Sequence, residues 1–264
     1  VLSKSRVRFV RSLQQEKARS QLRLFVIEGE KMVRDYLEAG RSMEQLYVLD
    51  EWWVSLPEHV RAKAGDVVLV SPAELAKLSG LATPQSAVAV ARQPDDEWDP
   101  AELAAGLSFG LEAVRDPGNL GSLLRVAAWF GVPQVLCSPD CVELYNPKVV
   151  QATMGALLLV DVHRAPLTPA LRVVSSRGVP IYGTVLDGTS IYDVDLGERG
   201  VILLGNESRG LSDEVRSSVS HAVTIPSWTA PAPGKDSLNV AVAAAVICSE
   251  FRRRGRAPAA PGRG

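Results

Sequence analysis

Short apolar runs alternate with amphipathic stretches along most of the chain, and that rhythm predicts an α/β protein. The first four runs, residues 24–27, 46–49, 67–70 and 87–90, are rich in Val, Leu and Ile and too short for helices, so they read as strands. Helical spacing predicts helices over 3–20, 30–39 and 72–78, the second closed by Gly40 and the third opened by a Ser71 cap before Pro72.

From residue 107 onward the alternation is more regular. Strands are predicted at 107–113, 134–137, 158–162, 181–185, 201–204 and 222–225. Helices are predicted at 120–130, 148–156, 169–176, 213–219 and 238–253. Strands that alternate with helices indicate a parallel sheet covered on both faces. Ligands of such sheets bind outside the carboxyl ends of the strands, where 115–121, 205–210 and 226–239 fall. The acid- and proline-rich run 93–100 breaks the pattern and reads as a linker. The predicted organisation is a small α/β domain over 1–92, a linker over 93–106, a parallel-sheet domain over 107–254 and a low-complexity tail over 255–264.

Composition adds bounds. At 264 residues and 46% hydrophobic content the chain can bury two cores. The net charge of -1 gives no overall attraction to a polyanion, so any such partner must be held by local patches. Lys4, Arg6, Arg8, Arg11, Lys17, Arg19 and Arg23 form one candidate patch, and Arg252, Arg253, Arg254 and Arg256 another. A solvated helix face and a basic tail would read the same way. Cys137, Cys141 and Cys248 lack ligand spacing and read as reduced structural thiols; His59, His163 and His221 are scattered. No metal site or Ser-His-Asp hydrolase is expected. The chain shows no apolar run of membrane-spanning length, so a cytoplasmic protein is expected.

Three segments carry the candidate chemistry. In Asp116-Pro117-Gly118-Asn119-Leu120-Gly121 the Pro-Gly pair makes a turn, and Asn119 is suited to cap the following helix, with Arg125 on its second turn. A capped helix beside an arginine could be structural or could hold a phosphate. Gly205 to Gly210 resembles a phosphate cradle, but it lacks the spacing of a nucleotide loop and holds Glu207, which would repel a triphosphate. In the third segment Asp236 or Ser237 could cap the last helix, placing Asn239 in its first turn.

In order, these residues resemble the SpoU family of RNA 2'-O-ribose methyltransferases, of the SPOUT class. The matching motifs are Asn119-x-Gly121-x-x-x-Arg125, Leu204-Gly205-Asn206-Glu207-x-x-Gly210-Leu211, and Ile225-Pro226 followed by Ser237-Leu238-Asn239-Val240. They span about residues 107–253. Residues 1–92 resemble the L30e-type substrate-binding domain often joined to this fold, with Glu28-Gly29-Glu30 as its weaker signature.

The resemblance implies a deep trefoil knot in the parallel-sheet domain, an exception to the rule against threading. It implies homodimerisation through that domain. It also implies S-adenosylmethionine as methyl donor, bound around Thr184, Leu204, Gly205, Asn206, Gly210, Ile225, Pro226 and Leu238. Arg125, Asn119, Glu207, Ser237 and Asn239 are the implied catalytic set. Because a guanidinium scarcely deprotonates, Arg125 is expected to stabilise charge and clamp a phosphate rather than act as a base. Arg6, Arg8, Arg11, Lys17, Arg125 and Lys148 are the expected contacts to rRNA or tRNA.

Two departures from the family pattern stand out. The interval from Pro226 to Ser237 is long and contains Trp228 and extra prolines, and Gln151 stands where relatives commonly carry arginine. Trp52-Trp53 could stack on bases or pack in the small domain. The alternative to an enzyme is a non-catalytic RNA-binding or ribosome-assembly protein of the same fold. A nucleotide-dependent enzyme is disfavoured, because no phosphate-binding motif is complete.

Overall fold

A computed structural model describes residues 2–95, 97–229 and 237–255. The chain divides into two compact units. One comprises Val1–Asp96 with Glu143–Leu158, and the other Glu97–Val142 with Leu159–Gly264.

The first unit is built on a four-stranded sheet of β1 (Leu24–Glu28), β2 (Met43–Val48), β3 (Val67–Leu69) and β4 (Ala87–Arg92), in the order β1-β4-β2-β3. β4 is antiparallel to both neighbours, and β2 and β3 are parallel. Both faces of β1 and β4 are buried, which accounts for their continuous apolar runs. The predicted helix 3–20 is two helices, Lys4–Ser12 and Glu16–Leu22. The break buries Leu13, and Arg19 turns inward at 2% exposure, donating to Glu143 and to the Leu13 carbonyl. Arg19 therefore leaves the basic patch. Trp52 and Trp53 are partly buried against the apolar cluster that holds Phe25 and Tyr36.

Segment 143–158, predicted within the parallel-sheet domain, groups with this first unit. Its apolar content explains why: Val150 enters the same cluster, and the Tyr145 ring lies 4.6 Å from that of Phe25. Met154 and Gly155, both at positive φ, end helix Pro147–Thr153, so the strand predicted at 158–162 starts later, at Asp161.

The second unit carries six parallel strands: β5 (Leu107–Leu111), β6 (Gln134–Cys137), β7 (Asp161–Arg164), β8 (Ile181–Ser190), β9 (Gly200–Leu204) and β10 (His221–Thr224). Their order is β10-β8-β9-β5-β6-β7. β5 and β9 are central and buried throughout. They also approach closely, since a Cβ on Gly110 would stand 2.5 Å from the Leu203 side chain. From β5 the chain steps outward through β6 and β7, then returns to the other flank. The carboxyl ends of β5 and β9 thus border the point where strand order reverses, and such points open a crevice.

The β8–β10 register jumps from Gly183↔Ala222 to Thr189↔Val223, so residues 184–188 leave the ladder as a bulge. Part of the segment that would be threaded in a knot, 230–236, lies outside the described residues, as does the tail from Arg256. Among the described residues no helix is long and apolar enough to cross a membrane. Cys137, Cys141 and Cys248 are buried free thiols.

Candidate functional site

The loops that follow β5 and β9 are tied together by side chains. Asn206 and Gly210 exchange backbone hydrogen bonds of 3.1 and 2.8 Å, which fold 205–210 back on itself. Only glycine fits at 205, where an added Cβ would lie 2.3 Å from the Gly210 carbonyl carbon. Gly210 itself sits at φ +68°, a left-handed conformation natural to glycine.

Asn206 Oδ1 accepts from the backbone N–H groups of Ser208 and Arg209, while its Nδ2 donates to the Ala113 carbonyl at 2.9 Å. Glu112 accepts from both the N–H and the hydroxyl of Ser212, at 2.8 and 2.5 Å. Ala113 adopts φ +54°, rare for a residue with a Cβ, and the Ser138 hydroxyl accepts its N–H at 2.9 Å. Sequence reading missed this strained junction, because alanine gives no sign of a left-handed turn.

Helix Pro117–Phe130 begins one turn earlier than predicted. Asp116 is its N-cap, accepting the Asn119 N–H at 2.8 Å, and Pro117 suits the first turn because it needs no donor there. Asn119 is therefore not the cap, and its amide is left free to act across the crevice. Its Nδ2 donates to Glu207 Oε1 at 2.6 Å, and its Oδ1 accepts from Asn239 Nδ2 at 2.8 Å.

A second shifted cap fixes the direction of this relay. Asn239, rather than Ser237, is the N-cap of helix Val240–Arg254, its Oδ1 accepting the N–H groups of Ala241 and Val242 at 3.0 and 3.3 Å; Asp236 lies outside the described residues. With the oxygen committed to the helix end, only the NH2 group can face Asn119, and Asn119 in turn can present only its NH2 group to Glu207. Three segments distant in sequence thus meet in one oriented chain of hydrogen bonds ending on a carboxylate.

Beside this relay lies a cleft of about 990 Å³. Thr184, Leu204, Gly205, Asn206, Gly210, Ile225, Pro226 and Leu238 all line it, as do Glu207 and Ser237. The Thr184 hydroxyl donates to the Leu203 carbonyl at 2.9 Å, which ties the start of the β8 bulge to β9. The bulge adds Leu186 and Asp187 to the wall, and later segments add Arg209, Arg216 and Trp228, none of which the motifs indicate. Arg216 donates to both Asp187 oxygens at 2.8 Å and holds that carboxyl below its ordinary pKa.

Arg125 does not join the relay. Six residues beyond Asn119, it is rotated by about a third of a turn from it, exposed, and without a hydrogen bond or ion pair among the described residues. A free cation near a site built from amides and a carboxylate is available to an incoming anion. The other residues expected to contact RNA lie in the first unit. Arg6, Arg8 and Lys17 are exposed, Arg11 is exposed but donates to the Lys77 carbonyl at 2.8 Å, and Lys148 is exposed beside the Asn146 cap.

The model of the SpoU rRNA Methylase family matches residues 106–249, and that of the MRM3-like substrate binding domain matches residues 4–89. An uncharacterised tRNA/rRNA methyltransferase of Synechocystis is 32% identical over 97% of this chain and 93% of its own length. The 23S rRNA (guanosine(2553)-2'-O)-methyltransferase RlmP of Bacillus subtilis is 26% identical over 92% of this chain and 94% of its own. Among solved structures, the AdoMet-bound rRNA methyltransferase from Sinorhizobium meliloti superposes with a TM-score of 0.82 at 28% identity, covering 96% of this chain and 97% of that one.

Proposed function

The chain belongs to the SpoU rRNA methylase family, and from that premise we propose that it methylates a ribose 2'-hydroxyl of structured RNA with S-adenosylmethionine as donor. The observation that carries this reading is the junction of cleft and relay: one cavity lined by the second and third motifs, with Glu207 in its wall bound by Asn119 of the first motif, which Asn239 binds in turn.

The residues fit that cofactor. A cleft of about 990 Å³ accommodates a nucleoside-bearing molecule, its walls being apolar at Leu204, Ile225 and Leu238 and polar along the Gly205–Gly210 turn. Bound there, S-adenosylmethionine supplies an electrophilic methyl group. The protein's own task is to present the ribose oxygen and stabilise the negative charge that develops on it, because a ribose hydroxyl is a weak nucleophile at neutral pH. Arg125 is permanently cationic and exposed, so it stabilises that charge and clamps a neighbouring phosphate. Glu207, Asn119 and Asn239 orient the reacting groups, and Ser237 stands at the cleft edge beside them.

Arg6, Arg8, Arg11, Lys17 and Lys148 supply RNA contacts in this reading, by charge and shape rather than base sequence. The relatives named for rRNA favour an rRNA substrate over tRNA. The enzyme acts in the cytoplasm as a homodimer through the parallel-sheet domain, whose exposed Trp129 and Val242 supply apolar area on two helices.

Mass spectrometry of nucleosides from rRNA and tRNA pools, with and without the gene, tests the assignment. Loss of one 2'-O-methyl nucleotide from the rRNA pool is expected. Unchanged pools together with no calorimetric binding of S-adenosylmethionine would favour a non-catalytic RNA-binding protein. Light scattering on the purified chain tests the dimer.

A further inference from the structure

Three of the eleven exposed large apolar side chains among the described residues, Leu186, Trp228 and Leu238, line the same cleft, at 70, 99 and 52% exposure. Each reaches it by a different device. Leu186 is carried out by the bulge that takes 184–188 off the β8 ladder. Leu238 precedes the Asn239 cap. Trp228 stands in a tight turn in which the Ser227 hydroxyl accepts the Thr229 N–H at 3.2 Å.

Exposed apolar groups gathered around one opening mark a surface that becomes buried when something binds. A fully exposed indole is the strongest of these signals, because it offers a flat face that only another flat group covers well. Its chain neighbours in the cleft wall, Ile225, Pro226, Ser227 and Thr229, carry no charge. The charged groups of the wall lie elsewhere in sequence, on Glu207, Arg209 and the Asp187–Arg216 pair. The cleft wall therefore combines aromatic and apolar side chains with charged ones, and a ligand that carries both a heteroaromatic ring and charged groups matches that combination.

We propose that Trp228 is a binding residue for the purine ring of the cofactor, its indole stacking on the ring while Leu186 and Leu238 enclose the edges. The proposal rests on the reading of the cleft as a cofactor site, and adds to it a residue outside the three motifs, placed in the interval that makes this chain depart from its family's pattern. Because an aromatic face stacked on a nucleobase is lost on alanine substitution, the loss expected for Trp228→Ala is about tenfold in affinity.

The test is equilibrium binding by the full-length protein, free of RNA. S-adenosylhomocysteine, adenosine and methionine are titrated by calorimetry into the wild type, Trp228→Ala and Trp228→Phe, while tryptophan fluorescence is followed in parallel. Trp228→Ala should weaken S-adenosylhomocysteine and adenosine by about tenfold and leave methionine unchanged. Trp228→Phe should retain most of the affinity but lose the fluorescence change that the wild type gives on binding. Equal affinities in all three proteins, or a fluorescence change that survives in Trp228→Phe, would overturn the role of Trp228 while leaving the cofactor site intact. No binding of S-adenosylhomocysteine by the wild type would overturn the cofactor site itself, and the proposal with it.

Discussion

Asn239 donates its side-chain N–H to Asn119 Oδ1 at 2.8 Å across 120 positions of sequence, and the same Asn239 caps the last helix through its oxygen. One amide thus serves the fold with one atom and the site with the other. Substitutions can separate the two. Asn239→Asp keeps an oxygen for the helix N–H groups but loses the donor to Asn119, whereas Asn239→Ala loses both.

Thermal or chemical denaturation should therefore find Asn239→Asp close to wild type and Asn239→Ala destabilised by about 1 kcal/mol, the usual worth of such a cap. Methyl transfer should fall in both, by about a hundredfold, since a misaligned reacting group costs that much. An active Asn239→Asp would show that the relay is not needed. Equal losses of stability in the two variants would show that the cap is not oxygen-specific.

Arg125 makes the opposite prediction. It is exposed and has no partner among the described residues, so its removal leaves the folded state unchanged. Arg125→Ala should keep the wild-type midpoint of unfolding and lose about 10²- to 10³-fold in turnover, the range for deleting one stabiliser of developing charge. Near wild-type turnover with unmodified RNA would remove Arg125 from the reaction.

The strands, helices and parallel sheet were legible in sequence because burial on both faces leaves continuous apolar runs, and β5 and β9 are the plainest cases. Gly205 and Gly210 of the cleft were legible because close backbone approach and positive φ require glycine there, whereas Thr184, Leu204, Ile225, Pro226 and Leu238 were indicated only by the family resemblance. The caps were misplaced by two or three positions, since Asp116, Asn119, Ser237 and Asn239 can all cap in principle and only tertiary contacts choose among them. Ala113 and Leu186 carried no signal. Their roles arise from a left-handed turn and a register jump that apolar residues do not announce.

Gly205→Ala tests the cleft directly. The added methyl would meet backbone atoms of Gly210 and Leu211 at 2.3 to 2.6 Å, and backbone cannot rotate aside as a side chain can. Loop 205–210 must open, at a cost of about 1–3 kcal/mol. Cofactor affinity measured by calorimetry should fall by about tenfold or more, with the helical circular dichroism unchanged. Unaltered affinity would mean that this turn does not shape the site.

Among the N-terminal basic residues, structure and RNA contact are separable. Arg8→Glu with Arg11→Glu should weaken RNA binding and reduce the dependence of log affinity on log salt by roughly one per lost phosphate contact. Arg19→Met instead leaves Glu143 without its buried partner, and should destabilise the chain by about 3 kcal/mol. Its RNA affinity, measured well below the unfolding midpoint, should equal that of wild type. An unchanged salt slope in the double variant would exclude the first helix as a contributor.

The helix that Asn239 opens is secured at its other end by charge, which makes the fold acid-sensitive at a defined place. Glu250 is buried and accepts hydrogen bonds from both Arg253 and Arg254 at 2.7 Å, and Arg254 also donates to the carbonyls of Val194 and Tyr192. The hydrogen bonds from Arg253, then those from Arg254, hold the Glu250 carboxyl at about 2, below its ordinary 4.5. Because the folded value is the lower one, the unfolded chain binds the extra proton between these limits. The stabilising contribution is therefore complete above pH 4.5, declines as pH falls, and is gone below about 2. Urea unfolding of wild type and Glu250→Gln at a series of pH values should give a gap in stability that is largest at neutral pH and closes toward pH 2. A gap that stays constant with pH would assign the effect of the substitution to packing rather than charge, and the end of the helix would then be held by Arg252 and Arg254 through their carbonyl partners.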